Sequence, residues 1–181
     1  MKASIKLSNE YIFFTHYSIT ELMELYIRQK ALSMKDVFYI YDEQGKEKYY
    51  VEGDGAFDKN LHIYKMNGVE AAYISQKKWS FSHKFYIEVA NKATVMLRQK
   101  AKFFSTYFFV EGLNWHIEGN MMSRGFIILS DDEIIGAISK EKHLFKDAYK
   151  INIIDEDNEL YVLAITLIID IIIALNSAAA A

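Results

Sequence analysis

The stretch Leu160–Leu175, LYVLAITLIIDIIIAL, decides the fold. It carries one carboxylate, Asp170, and little else that is polar. Such a segment either crosses a bilayer or fills a protein core. A spanning helix needs about 20 apolar residues, and here 16 run between the acidic DEDNE at 155–159 and Asn176. A carboxylate near the bilayer centre is strongly disfavoured. Leu, Ile, Val and Ala cover every face of the helix, as complete burial requires. The reading is a core helix with no transmembrane segment.

What surrounds that helix follows from the rest of the chain. Its 181 residues make about one domain, and 51% apolar with 25% charged residues is the balance of a globular protein. A net charge of −3 gives no global argument for nucleic acid. There is no cysteine, which removes disulfides, thiolate metal sites and cysteine nucleophiles. There is no proline, while Tyr numbers 13 and Phe 12. Both features suit a chain made mostly of interior strands.

The chain also repeats itself. Ile27-Arg28-Gln29-Lys30, Ile74-Ser75-Gln76-Lys77 and Leu97-Arg98-Gln99-Lys100 are copies of one strand ending. Each precedes an aromatic strand: Phe38-Tyr39-Ile40, Phe85-Tyr86-Ile87 and Phe108-Phe109-Val110. A weaker copy runs from Ile138-Ser139-Lys140 to Tyr149-Lys150-Ile151. Val51-Glu52-Gly53 matches Ile117-Glu118-Gly119, and Leu61-His62-Ile63 matches Phe126-Ile127-Ile128. Offsets of 64 to 70 residues align two halves of six strands each. Twelve antiparallel strands must close or manage two edges. A closed barrel of that size is too wide for its own side chains to fill. The expected fold is therefore mainly β: a closed twelve-stranded antiparallel barrel enclosing the C-terminal hydrophobic helix.

A family resemblance arrives at the same place. Gln29-Lys30, then Phe38-Tyr39-Ile40-Tyr41-Asp42-Glu43-Gln44-Gly45, then Tyr50-Val51-Glu52-Gly53, resembles the LURP-one-related proteins. So does the closing Ile/Leu/Ala helix with its aspartate. The resemblance covers about residues 23–175. It implies the tubby C-terminal fold, a barrel around a central hydrophobic helix. Residues 1–22 stand outside it as an extension of open status, with Met23 as an alternative start. Residues 176–181, NSAAAA, read as a tail or cloning scar.

In an up-and-down meander, the loops leaving odd-numbered strands share one end. These loops, near 30–36, 53–60, 77–84, 99–105, 119–125 and 140–147, sum to a formal charge of +7, and those at the other end to −8. Four basic-end loops mix cations with large apolar side chains. They supply the candidate lipid-binding residues Lys30, Lys35, Lys77, Lys78, Trp79, Phe81, Lys84, Lys100, Lys102, Phe103, Phe104, Lys140, Lys142 and Phe145. Cations beside Trp and Phe suit a peripheral surface for anionic phospholipid or phosphoinositide headgroups. The family's likeness to tubby domains and phospholipid scramblases leans the same way. No local motif here allows the tubby lipid-binding residues to be carried over. The competing account matches the charges to the helix dipole and folds the aromatics over the barrel end.

Asp170 is the sharpest single residue. Thr166 lies one turn earlier, and the two form a polar patch whose expected role is a register pin. Its partners on this reading are Thr166 itself or inward-facing Gln29, Gln76 or Gln99. Asp155, Asp157 and Glu159 lack the rest of a calcium loop, and Asp157 or Asn158 is expected to cap the helix. The five histidines show no metal spacing. There is no G-x-S-x-G elbow, P-loop or dinucleotide fingerprint. The function expected is a non-enzymatic barrel without cofactor or metal, cytoplasmic or peripheral at the membrane. It docks on anionic lipid or, alternatively, scaffolds a protein partner.

Overall fold

The computed structural model describes residues 3–7, 10–14, 22–27, 37–55, 60–77, 83–101, 106–141 and 148–179. Two strands, β1 (Ala3–Leu7) and β2 (Glu10–Phe14), pair with each other in the N-terminal extension. The first half of the repeat supplies β3 (Met23–Ile27), β4 (Phe38–Asp42), β5 (Glu47–Gly53), β6 (Leu61–Lys65), β7 (Glu70–Gln76) and β8 (Lys84–Val89). The second supplies β9 (Val95–Ala101), β10 (Thr106–Glu111), β11 (Trp115–Asn120), β12 (Gly125–Ser130), β13 (Glu133–Glu141) and β14 (Ala148–Ile153). Strands β3 to β14 form a closed antiparallel barrel in chain order, sealed by β14 against β3. The expected twelve-stranded meander is the observed one.

Alternation builds the wall. Leu25, Ile40, Val51, Ile63, Ile74, Ile87, Leu97, Val110, Ile117, Ile128, Ile138 and Ile151 point inward and are almost fully buried. Their immediate neighbours point out, as a period of two demands. The internal repeat reaches the backbone as well. A register shift falls between Ile63 and Tyr64 in the β6–β7 pair, and another between Ile128 and Leu129 in β12–β13. Ile63 and Ile128 are equivalent residues of the two halves, so the same bulge bends both.

The lumen is filled by α1 (Glu159–Ala179), of which every residue from Tyr161 to Ile173 is at most 6% exposed. The helix has 21 residues and is long and apolar enough to cross a membrane. Length therefore does not exclude a span; in this structure the helix is buried inside the barrel. The helix also continues through Asn176 and Ser177, beyond the boundary drawn at 175. Gly136 on β13 lets it approach the wall: a Cβ there would sit 3.3 Å from Val162 Cγ1 and 2.8 Å from the Asn152 carbonyl oxygen. Trp115 meets Tyr161 edge-on at 6.1 Å, and the Tyr161 hydroxyl donates to the Ala93 carbonyl at 2.5 Å. Outside the barrel, β1 lies beside β13. Ala137 and Asn152 face outward by strand parity and are nonetheless buried.

Candidate functional site

The meander sorts the connections into two rims. The ends of β3, β5, β7, β9, β11 and β13 share the basic rim, where α1 terminates, and the opposite rim receives the start of α1. Of the predicted lipid-binding set, Lys77 is exposed, while Lys84 and Lys140 are half-buried at strand ends. Lys100 lies on β9. Lys30, Lys35, Lys78, Trp79, Phe81, Lys102, Phe103, Phe104, Lys142 and Phe145 lie outside the described residues. One rim loop, 121–124, is described throughout, and it adds a residue that sequence reasoning missed. Met122 is 95% exposed. The Asn120 side chain accepts hydrogen bonds from the backbone N–H groups of Met122 (2.8 Å) and Ser123 (3.2 Å). This small turn projects Met122 while Met121 packs against the core.

Beneath that loop lies Asp170, 4% exposed. Its Oδ1 accepts from the Tyr149 hydroxyl at 2.6 Å, and Arg124 Nη1 lies 3.9 Å away. The same Arg124 nitrogen donates to the Tyr149 oxygen at 3.3 Å. Arg124 adopts φ +53°, the left-handed region that a non-glycine residue enters at a cost. The structure sets Tyr149 and Arg124 beside Asp170, two partners that the sequence reading did not name, while Gln29 lies outside the described residues. Thr166 instead donates to the Val162 carbonyl of its own helix at 2.8 Å. Gln76 and Gln99 are half-buried at the same end. Two signals were available: Tyr149 shares inward parity with Ile151, and Arg124 is the cation of the 119–125 loop.

Burial first, then the charge of Asp170 and its hydrogen bond, push the Tyr149 hydroxyl well above its ordinary range. A phenol that holds its proton more tightly when folded stabilises the fold fully below about pH 10, and that contribution is lost as pH rises further. Between about pH 10 and pH 11, wild type should lose about 1 kcal/mol more unfolding free energy than Tyr149→Phe. Urea unfolding at the two pH values measures it. Parallel losses would show that the phenol is not held this way.

The acidic rim has a structural explanation for most of its charge. Asp155, and not Asp157 or Asn158, caps the single 3-10 turn at Glu156–Asn158 that leads into α1, accepting from the Asp157 N–H at 3.0 Å. The correction follows from that intervening turn, which moves the cap one element upstream. Glu159 is 5% exposed in the first turn of α1, with Lys48 Nζ 2.7 Å from its Oε1 as an ion pair lacking the angle of a directed hydrogen bond. A cavity of about 920 Å³ opens beside Lys48 and Met66. Two of its carboxylates are already engaged. Asp42 accepts from the Gln44 and Lys46 N–H groups, and Glu24 from Tyr26 and Lys150. Among the described residues, no cluster of His, Asp and Glu is arranged to hold a metal ion.

His62, His116 and Asp170 do not converge. His62 lies on the outer wall, between Asp54 Oδ1 at 2.8 Å and Glu70 Oε1 at 3.4 Å. Asn60 first, and His62 with it, hold the Asp54 carboxyl below its usual range. His116, also outward, stacks on Tyr107 at 5.8 Å. Asp170 is on the other side of the sheet. Among the described residues, the geometry brings together no nucleophile, base and oxyanion donor.

A family model, LURP-one-related, matches residues 23–170. The chain belongs to the LURP-one-related family. Within it, the chain is similar to the Bacillus subtilis (strain 168) protein named "Uncharacterized protein YxjI", with 28% identity over 153 residues, 84% of this chain and 94% of that one. The X-ray structure of the Arabidopsis thaliana protein AT5G01750 superimposes with a TM-score of 0.61, covering 83% of this chain and 90% of that one. At 12% identity that likeness concerns the fold alone. The family match begins at Met23, where the barrel begins, and ends at Asp170 inside its helix.

Proposed function

We propose that this LURP-one-related chain is a non-enzymatic barrel domain that docks on anionic phospholipid surfaces through its basic rim. The observation that carries the reading is the meander itself. Six connections of net formal charge +7 leave strand ends on one rim, against −8 at the other. Met122 supports it further: a large apolar side chain, 95% exposed and held out by a capped turn, is suited to enter the interface between headgroups. The dipole of α1 favours cations at its C-terminal end. It does not call for an exposed methionine among them.

Docking of this kind gains about 1 kcal/mol for each basic residue near the surface. The reading puts the chain in the cytoplasm, peripheral at the membrane, because the cytoplasmic leaflet carries the negative potential. Charge reversal of Lys77, Lys78, Lys100 and Lys102 to Glu should weaken binding to phosphatidylserine-containing vesicles at least about a hundredfold. Undiminished binding would remove the rim as the docking surface. A second reading, a scaffold for a protein partner, is favoured by the outer wall.

A further inference from the structure

The outer face of β4–β7 carries a continuous row of rings. Tyr39 and Tyr50 lie 6.5 Å apart, Tyr50 and Tyr64 stack at 5.0 Å, His62 and Tyr64 stack at 6.0 Å, and His62 meets Tyr73 at 4.6 Å. Cross-strand pairing explains their contact, since Tyr39 faces Tyr50, Tyr50 faces Tyr64 and His62 faces Tyr73 in register. It does not explain why, among the described residues, the charges set among them, Glu52, Asp54 and Glu70, are carboxylates. Glu52 and Asp54 are exposed, Glu70 is 44% exposed at its side chain, and Tyr39 is 38% exposed beside Val37 at 43%. The Tyr64 hydroxyl is raised by desolvation and then by the negative potential of Glu70 and Glu52, so the patch is electronegative at the height of the rings.

We propose that this wall is a docking surface for an arginine-bearing segment of a partner protein. The chemistry selects arginine over other cations. A guanidinium is flat enough to lie on a tyrosine ring and forked enough to take a carboxylate at the same time, whereas an ammonium does neither in a fixed geometry. Tyrosine and arginine are also the residues that interfaces favour over lysine and glutamate. The inference is separable from the rim reading, because the positions its test changes, Glu52, Glu70, Tyr50 and Tyr64, lie outside the basic-rim loops, although Asp54 belongs to the loop 53–60.

The probe is fluorescein-labelled nona-arginine, with nona-lysine as the comparator of equal charge, titrated by anisotropy at about 0.15 M salt. Nona-arginine should bind about fivefold more tightly than nona-lysine, the margin that exposed ring contacts supply. Glu52→Gln with Glu70→Gln should weaken the arginine peptide about tenfold, through loss of two carboxylate pairings. Tyr50→Ser with Tyr64→Ser should erase the preference for arginine. All these positions are surface ones, and a wild-type urea midpoint verifies folding. Asp131→Asn with Asp132→Asn, at the acidic rim, should change binding less than about twofold, being screened from the wall.

Four results overturn the proposal. One is no binding of either peptide, and another is equal affinity for both. The third is a rim variant as damaging as the wall variant, which would mean generic attraction to acid. The fourth is dimerisation of the protein alone that the wall variant abolishes, which would make the occupant a second copy's basic rim. Vesicle binding by the wall variant should equal that of wild type, so failure here and failure of the lipid reading are separable.

Discussion

Replacing Asp170 by alanine should lower the unfolding free energy by about 3–5 kcal/mol, the penalty of removing one member of a buried charged group. The carboxylate is 4% exposed and is the acceptor for the Tyr149 hydroxyl at 2.6 Å, with Arg124 at 3.9 Å. Tyr149 is 1% exposed, so its hydroxyl cannot turn to water. Alanine leaves that donor in the lumen without its acceptor, and the guanidinium beside it without its nearby countercharge. It also leaves a gap in a helix packed on every side. Asp170→Asn keeps an acceptor of the same shape and should lose only about half as much, since neutral hydrogen bonds are weaker than charge-assisted ones. Urea unfolding followed by intrinsic fluorescence gives both values. An Asp170→Ala protein within about 1 kcal/mol of wild type would mean that the group does not pin the helix.

The second large effect is at Gly119. In most strands, alanine in place of glycine stabilises by about 0.5–1 kcal/mol because it restricts the unfolded chain. Here the sign reverses. A Cβ at Gly119 would lie 2.3 Å from the Gly125 carbonyl oxygen and 2.8 Å from Phe126 Cα, both backbone atoms of the partner strand. The Phe126 ring, 2.4 Å away at Cδ1, is fully buried and set edge-on to Phe108 at 6.3 Å. Relief requires either that β11 and β12 part or that Phe126 leave its place. Gly119→Ala should therefore destabilise by about 3 kcal/mol or more, at the upper end of overpacking effects. Near-UV circular dichroism should change with it, because Trp115 lies on the same strand. A variant as stable as wild type would show that the hairpin has slack that these distances deny.

Much of the architecture was legible because it depends on local periodicity and on the repeat. Apolar residues on all faces of 160–175 called for burial, and the aligned halves called for twelve strands. The helix runs longer than the apolar stretch, since Asn176, Ser177 and the following alanines carry it on with fair helix propensity. Contacts between distant parts of the chain were not legible. The partners of Asp170 come from the β11–β12 loop and from β14, and only the closed barrel brings Arg124 and Tyr149 to the same helical turn. The ring row has the same character. Tyr50, Tyr64 and Tyr73 are outward by parity, but their contact depends on register, and the register slips by one residue at Ile63/Tyr64. The exposure of Met122 depends on the turn made by Asn120, which one sequence cannot distinguish from a loop that folds back over the barrel.

Sedimentation of the purified protein with neutral and with phosphatidylserine-containing vesicles, at low and at about 0.15 M salt, tests the proposed function most directly. The account predicts binding to the anionic vesicles alone, weakened by salt and weakened further when Met122 is changed to Glu. Absence of binding to anionic vesicles at low salt, or equal binding to neutral ones, would contradict it.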